Sequence, residues 1–174
     1  MEIDSGLVDL LEKLVAIPSV NPGHTDDERV CGEQKIAEFT AGFFEQLGFE
    51  VEWDVEIEGR PNVIARCGAD HATEALLIEA HLDTVSEKGM DGAFSPRVAD
   101  GRLYGRGACD TKGPMAAAMR ALERVGTEAI RKGSCEIIFV AAMGEETGND
   151  GAEYLAGKGL GQDSRDIPRP VPCP

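Results

Sequence analysis

A chain of 174 residues with 42% hydrophobic side chains carries enough apolar material for one core of ordinary domain size, which excludes disorder throughout. With 32 acidic against 17 basic residues its net charge is -15, and a surface of that sign repels phosphate backbones and anionic lipid, so neither nucleic acid nor membrane is expected as a partner. Met1-Glu2-Ile3-Asp4-Ser5 lacks the basic and apolar segments of a signal peptide, and the five scattered cysteines (Cys31, Cys67, Cys109, Cys135, Cys173) form no Cys-x-x-Cys pair. A cytoplasmic protein with reduced, mostly buried thiols is expected.

Asp4 or Ser5 caps a first helix through Leu7, Leu10, Leu11, Leu14 and Val15, which Pro18 ends. After a loop, the pattern Val30, Ile36, Ala37, Phe39, Phe43, Phe44 and Leu47 predicts a long helix from Thr25 or Asp26 to the stop at Gly48. Phe49 to Val55 then alternates apolar and acidic residues as a half-exposed strand does. Asn62 to Ala65 and Leu76 to Ile78 are continuous apolar runs, the pattern of inner strands. Asp100-Gly101, between Val98 and Leu103, signals a type I′ hairpin. Pro114 suits the first position of a helix running through Leu122, and Cys135 to Met143 is the most apolar strand candidate. Helices alternating with such strands indicate an α/β fold, its sheet mostly parallel or mixed, with helices on both faces.

In sheets of this kind ligands bind beyond the carboxyl ends of strands, where two clusters fall: His81-Leu82-Asp83 and Glu145-Glu146. In a His-x-Asp on extended backbone both side chains share a face, so the Asp83 carboxylate can accept from the free ring N–H of His81 and fix its tautomer. At the mouth of the apolar strand one of Glu145 and Glu146 can bind a metal while its neighbour holds a proton. Between the clusters, Asp110 lies in Gly105-Arg106-Gly107-Ala108-Cys109-Asp110-Thr111-Lys112-Gly113. This run lacks the spacing of a phosphate-binding loop, and its glycines instead let the backbone bend tightly around a carboxylate able to reach two ions. An imidazole and several carboxylates form a ligand set suited to Zn²⁺, so the residues point to a metal-dependent hydrolase. His24 and His71, in polar loops, receive no role, and neither does Cys109.

These three motifs in this order, with Leu14 to Pro22 (Leu-Val-Ala-Ile-Pro-Ser-Val-Asn-Pro), resemble the zinc metallopeptidase family of aminoacylase, acetylornithine deacetylase, succinyl-diaminopimelate desuccinylase and glutamate carboxypeptidase. The resemblance implies that His81 binds one zinc, Asp83 orients His81, Asp110 bridges two zincs, Glu146 binds the second and Glu145 is the general base. It also implies a cis peptide after Asp110 and, as substrates, N-acyl amino acids or small peptides cleaved at an amide bond. Cobalt or manganese can replace zinc in carboxylate-rich sites. Family members continue beyond this length with a lid and dimerisation domain and a further zinc-binding histidine. Residues 1–158 therefore read as the N-terminal part of a catalytic domain and 159–174 as a divergent Pro-rich tail, in which Asp163 and Asp166 are poor substitutes for the missing ligands. The expectation is a truncated hydrolase that associates through the surface its missing segments leave uncovered. Its rivals are a non-catalytic fragment or binding module retaining the metal-site sequence, and a dinuclear phosphoesterase.

Overall fold

The apolar pattern resolves into a four-stranded mixed sheet between two helical layers. The computed structural model describes residues 4–69 and 71–161; the Pro-rich segment with Asp163, Asp166 and Cys173 lies outside them. Helix α1, Ser5–Ala16, starts where Asp4 accepts a hydrogen bond from Gly6 N and ends before Pro18. Helix α2, Gln34–Leu47, stops at Gly48, whose left-handed backbone (φ 85°) suits a residue without Cβ. Strands β1 (Glu50–Ile57), β2 (Arg60–Cys67) and β3 (Glu74–His81) follow, then the hairpin β4 (Arg97–Ala99) and β5 (Arg102–Tyr104). Helices α3 (Lys112–Val125) and α4 (Thr127–Arg131) lead to β6 (Cys135–Ala142), a 3-10 turn (Glu145–Thr147) and α5 (Asp150–Gly157).

The strand order is β1-β2-β6-β3, with β1/β2 and β2/β6 antiparallel and β3/β6 parallel. The sheet is therefore mixed, and its single parallel pair carries the site. Side chains of β6 alternate between layers. Phe139 and Ala141 pack with Leu14, Ile36, Phe44, Met115 and Met119 on the side of α1, α2 and α3, while Ile138, Val140 and Ala142 pack with Leu155 of α5 on the other. A strand covered on both faces calls for a continuous apolar run, and β6 supplies one from Ile137 to Ala142.

Four sequence expectations change. Helix α2 begins at Gln34 rather than near Thr25, because Thr25 and Asp27 accept backbone N–H groups two residues on and Gly32 adopts φ 92°, local arrangements that compete with a helix. Glu33, fully buried, closes instead on Arg60 (Nη2 to Oε1 2.6 Å). Pro114 is the third helical residue, not the first, still within the turn whose N–H groups have no intrahelical partner. Leu76 and Leu77 lie on an edge strand among the described residues, half exposed, since no described strand pairs with the outer edge of β3. The four cysteines among the described residues are free as expected but mostly not buried: Cys67 is, Cys31 and Cys135 are partly covered, and Cys109 is exposed on the Gly-rich loop. Asp100 and Gly101 both have positive φ (51° and 71°), as a type I′ turn requires. None of the described helices is long and apolar enough to cross a membrane.

The ring of Phe44 sits 4.7 Å from that of Phe139 and 5.0 Å from that of Phe49, fully buried where α2 meets the sheet. Phe44→Ala should destabilise the fold by about 3 to 5 kcal/mol, read as a shift in urea midpoint without a change in slope.

Candidate metal centre

Register alone brings the clusters together. His81 and Ala142 are partners at the ends of the parallel pair β3/β6, so the imidazole leaves one strand beside the point where the other turns into Glu145 and Glu146. Gly144, with φ 77°, makes that turn. Asp110 arrives from the loop between β5 and α3, where Gly107 has φ 77°; at Gly113, the second residue of α3, a Cβ would stand 2.4 Å from the Ala108 carbonyl oxygen. The glycines are therefore required by close backbone approach. The Asp110–Thr111 peptide is cis.

His81, Asp110 and Glu146 each present a ligand atom within 4.8 Å of the others. His81 Nε2 lies 3.0 Å from Asp110 Oδ1 and 3.7 Å from Glu145 Oε2, so His81, Asp110, Glu145 and Glu146 cluster at one place, where the Asp110 and Glu145 side chains meet solvent. Asp83 stands behind, almost wholly buried. The nearer acceptor for His81 Nδ1 is the Asp83 backbone carbonyl at 3.0 Å, with the carboxylate Oδ1 at 3.4 Å. That carboxylate is mainly engaged elsewhere. It accepts from Glu145 N (3.0 Å), Glu146 N (3.0 Å) and Asn21 Nδ2 (2.6 Å).

The electrostatics follow from this packing. Burial by itself disfavours the His81 cation, but hydrogen bonding to the Asp83 and Asp110 carboxylates and the charge of Glu145 outweigh it and raise the group to about 9. Burial likewise disfavours the Asp83 anion, yet His81, Asn21 and the two backbone N–H groups hold it down at about 2. Glu146 is pushed up, chiefly by burial, with His81 opposing and Asp83, Glu145 and Asp110 repelling. One imidazolium is thus too little positive charge for the carboxylates gathered around it. A divalent cation fits the donor set, with Nδ1 of His81 fixed as a donor so that Nε2 is free to ligate.

Sequence reasoning missed a second layer. Asn21 and His24 reach the 3-10 turn from the loop after α1, Asn21 through Asp83 and Thr147, and His24 by Nε2 to the Glu146 carbonyl oxygen (3.1 Å). Only the position of Asn21 in the Leu14–Pro22 run hinted at this. His71 precedes the opposite end of β3, beside Arg66 and Glu136.

Comparison with known proteins gives a consistent picture. A profile of peptidase family M20/M25/M40 matches residues 77–169. An acetylornithine deacetylase from Klebsiella pneumoniae (strain 342) is 28% identical over 152 residues, a span covering 86% of this chain and 38% of that protein. Human carnosine dipeptidase 1 superposes with a TM-score of 0.69 at 25% identity, over 88% of this chain and 35% of that one. A metallo-carboxypeptidase of the M20 family from Sulfolobus solfataricus superposes with a TM-score of 0.73 at 22% identity, over 92% and 35%. The chain thus spans well under half the length of the proteins it matches.

In metal-free protein the His81 ring should titrate near pH 9 instead of 6.5, observable in its proton resonances. Because the folded value is raised, the stability this group contributes is full below about 6.5 and lost as pH rises through about 9. A midpoint near 6.5 would contradict the clustering described.

Proposed function

The chain belongs to peptidase family M20/M25/M40, and from that premise we propose that it is the N-terminal part of a zinc-dependent hydrolase of amide bonds in N-acyl amino acids or small peptides. The observation that carries this reading is the convergence of His81, Asp110 and Glu146 within 4.8 Å, with Glu145 beside them. Deacetylase and dipeptidase are the activities named for two of the relatives, and both concern an acyl group bound to nitrogen.

His81, Asp110 and Glu146 would hold zinc, or cobalt or manganese in its place, which would supply a Lewis acid able to polarise a carbonyl and acidify water. His81 ligates through Nε2 while Nδ1 donates to Asp83. Asp110 would hold metal through a carboxylate on an exposed side chain, whose second oxygen would be available to a further ion. Glu145 takes a proton from the attacking water and returns it to the leaving amine; its partly exposed carboxylate lies beside the ligand set without belonging to it. Asp83 touches no substrate and acts by orienting His81. A cytoplasmic location is part of the same proposal, drawn from composition.

Two ions need more protein ligands than these residues supply. The 174-residue chain by itself therefore binds zinc weakly and turns over little substrate, and the half-exposed Leu76 and Leu77 on β3 favour association with whatever polypeptide completes the sheet.

The division of labour between the glutamates is testable by metal analysis after equilibrium dialysis. Glu145→Gln should leave zinc content within about twofold of the parent and remove any turnover of N-acetyl amino acids, whereas Glu146→Gln should lower occupancy about tenfold or more. Equal loss of zinc in both variants would refute the assignment.

A further inference from the structure

The loop after α1 is bound to the catalytic turn at more points than chain connectivity demands. Backbone hydrogen bonds from Thr84 N to the Ser19 carbonyl (2.9 Å) and from Asn21 N to the Thr84 carbonyl (2.9 Å) lay residues 19–21 alongside the segment that follows His81. This delivers the Asn21 side chain, 1% exposed, into the space between Asp83 and the 3-10 turn. There Nδ2 donates to Asp83 Oδ2 (2.6 Å) and to Thr147 Oγ1 (3.1 Å), while Oδ1 accepts from Gly23 N (2.8 Å). A carboxylate can only accept and a backbone N–H only donate, so these partners fix which way the amide faces. Close contact continues to the end of the loop. A Cβ on Gly23 would stand 2.8 Å from Thr147 Cγ2, and His24 Nε2 reaches the Glu146 carbonyl oxygen.

We infer that Asn21 is a positioning residue of the metal centre: its amide holds the Asp83 carboxylate against the backbone N–H groups of Glu145 and Glu146, and so sets where the base and the ligand that follow β6 point. The Asp83 carboxylate has to satisfy the turn and the region behind His81 at once, and without Asn21 one of its oxygens loses a buried donor at 2.6 Å. The inference rests on the metal-centre reading above, yet the arrangement of the turn exists in the metal-free chain and can be read there.

The test is amide hydrogen exchange of the metal-free chain, resolved at Glu145 and Glu146 and referenced to Phe139 to Ala141 in β6, with a cobalt titration of the same samples. Asn21→Ala should accelerate exchange at Glu145 and Glu146 by about tenfold relative to β6 and weaken cobalt binding about tenfold or more. Asn21→Asp separates this role from a local one, because it keeps the side-chain acceptor for Gly23 N but sets a carboxylate against Asp83. It should behave like the alanine variant. If Asn21→Asp matches wild type, or if β6 amides accelerate as much as those of the turn, Asn21 merely shapes its own loop and the inference is overturned. Should Asn21→Ala fail to fold, Asn21→Asp, with the same volume, gives the decision alone. A wild-type chain that takes up no cobalt would remove the metal-centre reading, while the amide result would still decide the role of Asn21.

Discussion

The buried carboxylate of Asp83 is the constraint on which the site depends. A carboxylate at 1% exposure is stable as an anion only if donors surround it, and here those donors are the amide of Asn21, the backbone N–H groups of Glu145 and Glu146, and the nearby His81 ring. They come from three stretches of the chain: the loop after α1, the end of β3 and the turn after β6. Hydrogen bonds to a charged group contribute roughly 1.5 to 3 kcal/mol apiece, so displacing any one of these segments leaves a buried charge short of partners. Since the folded Asp83 value is depressed to about 2, its contribution is present above the ordinary 3.8 and is lost only as pH falls through about 2. The Asp83 anion and its hydrogen bonds therefore persist at neutral pH.

What the fold adds is position. The parallel pair β3/β6 ends with His81 level with Ala142, and a left-handed Gly144 then bends the chain so that two successive glutamates face the imidazole. Burial of the apolar face of β6 under α1, α2 and α3 fixes that register, because a slip by one residue would move Phe139 from the larger core to the layer of α5. Packing distant from the cluster thus decides where His81 and the two glutamates stand. The same strands also gather negative charge around His81, which raises its value against the opposing effect of burial, whereas the upward push on Glu146 comes chiefly from burial, with the neighbouring carboxylates adding to it.

Much of this was legible in the residues. The apolar runs of β2 and β6, the Asp100-Gly101 hairpin and the motif carboxylates announce themselves because each depends on short-range chemistry. The misreadings concern tertiary context. Helix α2 loses its expected first turns to side-chain contacts of Thr25 and Asp27 and to Gly32, and β3 has the composition of an inner strand but lies at the edge of the described sheet. The helices α4 and α5 escaped notice because they are short and weakly patterned. Asn21 and His24 escaped for another reason: a loop residue that acts through contacts more than a hundred positions away in Glu146 and Thr147 has no local signature. The role of Asp83 was anticipated as a partner of His81, whereas most of its hydrogen bonds serve the glutamate turn.

The most direct test of this account is the zinc affinity of Asp83→Asn, which keeps side-chain volume and removes the charge that gathers the segments. Asp83 is not among the three residues whose ligand atoms cluster, His81, Asp110 and Glu146. Measured by competition with a chelating dye against the parent chain, the variant should bind zinc about 10- to 100-fold more weakly, with its far-ultraviolet circular dichroism unchanged. Affinity equal to that of the parent would show that His81, Asp110 and Glu146 find their places without the Asp83 carboxylate, and would contradict the account.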